Sequence, residues 1–490
     1  MRLLDLLARL PGAELHGEPE IDVRDVTHDS RRAGPGSLFV AIAGLVADGN
    51  EFVEAARRKG AVAVCSERPP AGEGTWVRVA DAREALATLA AAILGDPARS
   101  IELVGVTGTN GKTTTTYLVD SALRAAGERA GLLGTVEYRV GDRIAESART
   151  TPESSDLQAL LREMVDAGCR RAVLEVSSHS LALKRVHGLE FRVAVFTNLT
   201  RDHLDYHGDM DAYFAAKRLL FERHLRPDGH AVLNLDDDRA MDLAAAARGR
   251  VWTYSLENPK ADLLAETVRL SLDGTRFRAR TPAGALDVET SLVGAFNVQN
   301  ALAALGAGLA LGLPVDAVQR GIAALKGVPG RMERVVAGQD FTVIVDYAHT
   351  DDALKNLLET VRGLRPRRVI TVFGCGGDRD RSKRPLMGAV AARLSDVVIL
   401  TSDNPRSEPP EAIIDEIRRG IPAAAEALVV ADRRDAIARA LEMGREGVVV
   451  VIAGKGHELY QVLRDRTVPF DDRQVARDIL ARLAGAGGKR

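Results

Sequence analysis

Ten residues, Gly105-Val-Thr-Gly-Thr-Asn-Gly-Lys-Thr-Thr114, restrict the fold of this chain more than any other segment. They follow the apolar Leu103-Val104 and precede Tyr117-Leu118-Val119, so a glycine-rich turn joins a buried strand to the start of a helix. Glycines let backbone N–H groups crowd around phosphate oxygens, Lys112 adds a point charge, and the Thr113 hydroxyl can ligate Mg²⁺. The segment predicts a site for ATP or GTP, lined by Gly108, Thr109, Asn110, Gly111, Lys112, Thr113 and Thr114, on a strand–turn–helix unit of an α/β sheet. Its spacing departs from the usual pattern, because Val106 stands at the first glycine position and Gly105 one residue earlier.

At 490 residues the chain exceeds what one hydrophobic core serves, and about three domains are expected. Two polar turn clusters, Gly95-Asp-Pro-Ala-Arg-Ser100 and Gly327-Val-Pro-Gly330, divide it into segments 1–97, 98–328 and 329–490. A formal net charge of −2 gives no electrostatic case for nucleic acid or an anionic membrane, so an anionic ligand must be held by local groups. Cys65, Cys169 and Cys375 lie far apart and suggest neither a disulfide framework nor a cysteine zinc site, which fits a reducing cytoplasm. The leucines of residues 1–10 are interrupted by Asp5 and Arg9, which predicts an amphipathic helix and not a signal peptide, and no apolar run reaches membrane-spanning length.

In the middle segment, apolar runs such as Ala172–Val176 and Val193–Thr197 alternate with helical patterns such as Asp156–Ala167, predicting a largely parallel sheet covered by helices. The last segment repeats the alternation with runs at 342–345, 369–373, 397–400 and 448–452. Each run is followed by a polar loop: Asp346-Tyr-Ala-His349, Gly374-Cys-Gly-Gly-Asp-Arg379, Ser402-Asp-Asn-Pro-Arg406 and Gly454-Lys-Gly-His-Glu458. In a parallel sheet all four share the carboxyl rim, where α/β domains bind ligands.

Several middle-segment residues can carry chemistry. Glu175 ends an apolar strand near the phosphate loop, as a Mg²⁺ ligand would, although a strand-end acid needs no metal. His203 lies in a loop with two acids and a second histidine and is the metal candidate there. Lys217, on a helix beside Arg218, would by itself read as a solvated charge. Asn297 and Asn300 sit three residues apart near a helix start, where both could reach one ligand or one could cap the helix.

Taken in order, Thr107-Gly-Thr-Asn-Gly-Lys-Thr113, Glu175-Val-Ser-Ser-His179, Asn198 with Asp202-His203, Lys217, Gly294-x-Phe-Asn-x-x-Asn300 and Asp346-Tyr-Ala-His349 resemble the Mur ligases, ATP-dependent amide-forming enzymes of peptidoglycan synthesis. The resemblance spans nearly the whole chain and is greatest to the tripeptide synthetase (MurE) branch, which adds the third residue to UDP-N-acetylmuramoyl-L-alanyl-D-glutamate. It implies a central phosphate-loop domain flanked by a smaller N-terminal α/β domain and a C-terminal Rossmann-like α/β domain. It implies a cytoplasmic enzyme, acting as a monomer, that uses ATP, with one Mg²⁺ on Thr113 and Glu175 and a second near His203. By the same resemblance Lys217 is the lysine carbamylated in this family, and Lys112, Lys217 and His203 serve catalysis. Asn297 and Asn300 resemble adenine-side contacts, and Arg331 and Asp346 resemble the last domain's contributions to ATP. Ser30, Thr150, Thr151, Ser177 and Arg185 resemble contacts to the UDP-muramoyl dipeptide.

The third residue in such enzymes is usually meso-diaminopimelate or L-lysine. Asp403-Asn404-Pro405-Arg406 matches the loop associated with diaminopimelate, whose second carboxylate an arginine fork can bind and lysine lacks. Arg379 resembles a second carboxylate partner, and Gly454 and Glu458 would hold the distal amino group. Leu183 departs from relatives that carry glutamine, and Asn50 from those that carry histidine. The alternatives are a lysine-adding enzyme, a folylpolyglutamate-synthetase-like ligase and a phosphate-loop nucleotide switch or motor, the last of which leaves the four rim loops unexplained.

Overall fold

Strand Glu102–Thr107 lies in the middle of a parallel array because its residues are apolar on both faces, and helices cover both. The computed structural model describes residues 1–487 apart from 45, 46, 71 and 272, so the last three residues of the expected third segment lie outside it. Arg171–Glu175 and Phe191–Phe196 flank Glu102–Thr107, both parallel to it. Outside them run Ala130–Leu133 on one side and Leu225–Asn234, Arg250–Ser255 and Leu263–Ser271 on the other, again parallel. The chain changes from one side of the central strand to the other between Arg171–Glu175 and Phe191–Phe196, which leaves a crevice at the carboxyl ends.

The expected largely parallel sheet describes these strands but not the edges of the full 11-stranded sheet. Glu137–Val140 and Arg143–Glu146 extend one edge antiparallel, and Gly274–Thr281 and Gly284–Thr290 extend the other. Thr275, Phe277, Ala279 and Thr281 face inward while Arg276, Arg278 and Arg280 face out, the period-2 pattern of a sheet with one wet face.

A smaller five-stranded sheet precedes this one, ordered Glu14–His16, Thr75–Arg78, Ala63–Ser66, Ser37–Ala41 and Asp25–Thr27, parallel except for the first strand. The expected helix over residues 1–10 shortens to Leu3–Leu7, whose Leu3 and Leu6 reach the core before Pro11 and Gly12 end it. A six-stranded sheet follows, ordered Glu333–Arg334, Thr342–Asp346, Val448–Ala453, Arg368–Phe373, Val397–Leu400 and Ala427–Val429. All but Glu333–Arg334 are parallel, so the four polar loops do share one rim.

The phosphate-loop helix Lys112–Ala125 is clamped by Val315–Ala324 at backbone range. A Cβ at Gly321 would lie 2.4 Å from the Ala122 Cα, and the Ser121 hydroxyl donates to the Gly321 carbonyl at 2.6 Å. We expect Gly321→Ala to separate these helices and cost about 1–3 kcal/mol in denaturant unfolding. No change in the transition would show that the helices part without strain.

Candidate functional site

The loop after Glu102–Thr107 is built on two left-handed glycines. Gly108 has φ 146° and Gly111 φ 84°, and a Cβ at either would collide with Thr197 Oγ1 or Asn300 Oδ1 respectively. The neighbouring strand's end grips the turn: the Asn110 N–H donates to Asn198 Oδ1 at 2.9 Å, and the Thr197 hydroxyl donates to the Asn110 carbonyl at 2.5 Å. The Thr109 hydroxyl meets Tyr213 Oη and the Thr200 carbonyl, each at 3.1 Å. Thr113 and Thr114 are buried at the helix start, where backbone N–H groups face the crevice.

Two lysines converge on one carbonyl. Lys112 Nζ donates to Gly108 O at 3.0 Å and Thr109 O at 2.8 Å, and Lys217 Nζ donates to the same Gly108 O at 2.8 Å. Lys217 is 1% exposed on helix Met210–Leu219, with its ammonium over the Tyr213 ring. Burial, then Lys112, push its pKa well below the ordinary 10.5, while Asp202 pulls the other way. Burial also lowers Lys112, against Glu175 and Asp202. The pair makes a positive, dehydrated spot that an anion would relieve.

Glu175, 1% exposed, accepts from the Thr135 N–H at 2.8 Å and hydroxyl at 3.0 Å and has no ion pair among the described residues. His203, at left-handed φ 54°, lies 3.3 Å from Asp202 and edge-on to His179. Burial pushes its pKa down to about 3, so the ring is neutral and free to ligate at neutral pH. Among the described residues no three His, Cys, Asp or Glu side chains form a metal-holding group by themselves. A cation there would need ligands from other groups, such as the Thr113 hydroxyl and bound phosphates.

Asn297 and Asn300 are buried against the loop, with their amides turned inward. Asn300 Nδ2 donates to Asn297 Oδ1 at 3.0 Å, Asn297 Nδ2 to the Val293 carbonyl at 2.8 Å, and the Thr115 hydroxyl to Asn300 Oδ1 at 3.4 Å. Thr150, Thr151, Ser177 and Arg185 gather around the end of the Glu175 strand. Thr135 Oγ1 meets Thr150 Oγ1 at 3.0 Å, the Thr151 hydroxyl donates to the Glu175 carbonyl at 2.7 Å, and Arg185 donates to the Thr151 carbonyl at 3.2 Å. The Ser177 hydroxyl caps the following helix, and Arg185 pairs with Glu153 at 2.8 Å. Ser30 stands half-buried beyond Asp25–Thr27, where the first sheet meets the central one through His28 and Ser155 at 3.2 Å.

The last sheet's rim reaches this crevice. Arg331 Nη2 donates to Thr113 Oγ1 at 3.2 Å, Asn110 Nδ2 to Asp352 Oδ2 at 3.0 Å, and Arg201 pairs with Asp380 at 3.1 Å. Asp346 accepts from the Met332 N–H at 2.6 Å and the Ala348 N–H at 2.8 Å, fixing the turn that carries Arg331; burial raises its pKa. Farther along the rim, half-buried Arg406 donates to the Gly377 carbonyl at 2.8 Å, and a Cβ at Gly376 would touch both Arg406 Nη1 and the Arg379 stem. Arg379 itself is exposed. Pro405 is buried; Gly454 has φ 117°, and a Cβ there would lie 3.5 Å from Asp403 Oδ2. Asn404 Nδ2 donates to Glu458 Oε2 at 2.9 Å.

Sequence reasoning missed Thr135, Asp352, Arg201 and Lys455. The first three are single polar residues whose partners depend on chain segments far away. Lys455 had one signal, a lysine between two glycines directly after a buried strand.

The chain matches the Mur ligase family's catalytic domain over residues 22–94, the Mur ligase middle domain over 106–308 and the Mur ligase glutamate ligase domain over 330–456. It is 53% identical over 470 residues to the UDP-N-acetylmuramoyl-L-alanyl-D-glutamate–2,6-diaminopimelate ligase of Solibacter usitatus, covering 94% of this chain and 95% of the relative. Identity to the protein of the same description from Geobacillus kaustophilus is 48% over 484 residues, covering 97% and 99%. A solved structure of such a ligase superposes with TM-score 0.71 at 34% identity, covering 99% of both chains.

Because the Lys217 amine binds its proton less readily than in the unfolded chain, unfolding takes up a proton between the lowered native value and about pH 10.5, and below that window the native state carries the whole penalty. In carbon-dioxide-free buffer at pH 7, Lys217→Met is expected to leave the unfolding free energy unchanged or to raise it by up to about 2 kcal/mol in denaturant titration. A marked loss of stability would show that the amine is well compensated.

Proposed function

Because the chain belongs to the Mur ligase family, we propose that it joins meso-2,6-diaminopimelate to the D-glutamyl γ-carboxylate of UDP-N-acetylmuramoyl-L-alanyl-D-glutamate, converting ATP to ADP and phosphate. The family makes it an ATP-dependent amide-forming ligase of peptidoglycan precursor synthesis. The choice of amine rests on one observation: Arg406 and Glu458 lie on either side of Asn404, a cation and an anion on one rim. The far end of diaminopimelate carries a carboxylate and an ammonium on a single carbon, whereas L-lysine ends in an ammonium alone.

A carboxylate acylates poorly, so the γ-phosphoryl group moves to it first, and the incoming amine attacks the acyl phosphate through a tetrahedral intermediate. Both reactants are anions before that step. The cation of Lys112 at Gly108, with Arg331 beside Thr113, supports their approach. Thr113 and Glu175 are oxygen donors suited to Mg²⁺, and the buried Glu175 forms no ion pair among the described residues, so the donor set fits such an ion. They would hold one ion, and His203 with a carbamylated Lys217 a second, and these ions would neutralise charge between the reacting anions. Carbon dioxide adds to a neutral amine, and burial favours that form at Lys217.

On this reading residues 1–97 take the uridine nucleotide with Ser30, 98–328 take ATP and the muramoyl dipeptide, and 329–490 take the amine. Gly108, Thr109, Asn110, Gly111, Lys112, Thr113 and Thr114 hold the phosphates, with Asn297, Asn300, Arg331 and Asp346 around the nucleotide. Thr150, Thr151, Ser177 and Arg185 face the dipeptide, and Arg379, Asp403, Asn404, Pro405, Arg406, Gly454 and Glu458 face diaminopimelate. One chain carries residues for all three substrates, so a cytoplasmic monomer suffices. No described helix is long and apolar enough to cross a membrane.

Phosphate release from ATP in the presence of the UDP-muramoyl dipeptide is expected to rise with meso-diaminopimelate and hardly with L-lysine; equal stimulation would refute the assignment of the amine. Arg406→Ala should raise the diaminopimelate KM roughly 10–100-fold, the cost of one charged hydrogen-bond partner, with the ATP KM little changed. Equal damage to both would mark Arg406 as structural. Lys217→Ala should lose activity and regain part of it with a short carboxylic acid, and full activity without the acid would remove Lys217 from the reaction.

A further inference from the structure

Lys455 belongs to no part of the machinery assigned above, yet it lies at the centre of the rim. Its side chain is 0% exposed, and its ammonium reaches Glu458 Oε2 at 2.9 Å, Asn404 Oδ1 at 3.0 Å and Asp403 Oδ1 at 3.5 Å. A buried ammonium stays in place only where acceptors surround it, and these three come from two different rim loops. It therefore fastens the 402–406 loop to the 454–458 loop.

The contact also fixes the orientation of Asn404. With Lys455 Nζ and the Val462 N–H both donating to Oδ1, the amide nitrogen must point the other way, to Glu458 Oε2. The Asn404 backbone carbonyl meanwhile accepts from Arg406 at 3.4 Å. One residue thus joins the anionic half of the rim to the cationic half.

Charge supplies the second argument. Asp403 and Glu458 are two carboxylates against one ammonium, leaving a single negative charge. Among the described residues no hydrogen bond reaches Asp403 Oδ2 or Glu458 Oε1, and a Cβ at Gly454 would stand 3.5 Å from Asp403 Oδ2 and 3.9 Å from Arg433 Nη2, whose charge Asp472 balances at 2.7 Å. A ligand that brings one ammonium and one carboxylate is matched by this one excess negative charge and by Arg406. Without Lys455 the same rim would carry two negative charges, repel the ligand's carboxylate and favour an amine that brings an ammonium alone.

We propose that Lys455 is the positioning residue that sets selectivity for diaminopimelate over L-lysine, by orienting Asn404 and Glu458 and cancelling one of the two carboxylate charges. The inference rests on the proposed amine site and goes beyond it by naming a residue that need not touch the substrate.

The test uses full-length Lys455→Met, Glu458→Gln and the double variant in the phosphate-release assay, with thermal unfolding as a check on folding. In Lys455→Met the diaminopimelate KM should rise about tenfold or more, with kcat and the ATP KM within about threefold, and preference over L-lysine should shrink. The double variant restores the single negative charge, so it should bind diaminopimelate better than either single variant. If Lys455→Met does not fold, comparison of the double variant with Glu458→Gln decides the matter. A diaminopimelate KM unchanged in Lys455→Met, an ATP KM raised equally, or a double variant no better than Glu458→Gln would each overturn the inference while leaving the assigned reaction standing. A wild-type protein that diaminopimelate fails to stimulate would overturn both.

Discussion

The carbonyl oxygen of Gly108 accepts hydrogen bonds from two lysine amines, half-buried Lys112 and the almost fully buried Lys217. Like charges so close in a dehydrated pocket are tolerable only if one amine gives up its proton or an anion joins them. Much of the surrounding architecture serves that crowding. Gly108 and Gly111 let the turn curl tightly enough to present the carbonyl, Thr197 and Asn198 hold the turn from the next strand, and helix Met210–Leu219 brings in Lys217. Nearby Glu175 is buried and forms no ion pair among the described residues, so a negative group lies close to the positive ones at the phosphate loop.

The last sheet completes the site from outside. Its strands end in four polar loops on one edge, and the contacts of Arg331, Asp352 and Asp380 bring that edge against the phosphate loop and the segment around Arg201. A ligase must bring a phosphorylated carboxylate to an amine without admitting water, and two rims that meet through hydrogen bonds can exclude it.

Much of this was legible in the sequence, because phosphate binding by backbone needs glycines at fixed positions and parallel strands need unbroken apolar runs. The four rim loops followed from the same logic. The burial of Lys217 was also written in the chain, since Tyr213, Phe214, Leu220 and Phe221 place it on the apolar stripe, although a lysine beside an arginine reads as solvated when taken alone. The antiparallel ribbon around Gly274–Thr281 carried a clean alternation that the search for parallel strands passed over. Asn110 with Asp352 and Arg201 with Asp380 were beyond reach, because residues about two hundred positions apart meet only once the central and last sheets have been set against one another. Lys455 lay hidden for another reason: an ammonium between glycines tells nothing of the carboxylates that a second loop will supply.

The hydrogen bond from Arg331 to the Thr113 hydroxyl bears on how the halves of the molecule communicate. Hydrogen bonds fade steeply beyond about 3.5 Å, so a shift of the outer lobe by the width of one atom releases that hydroxyl. Arg331 is also the first residue after Gly327-Val-Pro-Gly330, and therefore the shortest lever available for such a shift. A group that took the Thr113 hydroxyl from the guanidinium would therefore remove one of the three contacts described above between the last sheet's rim and the central domain.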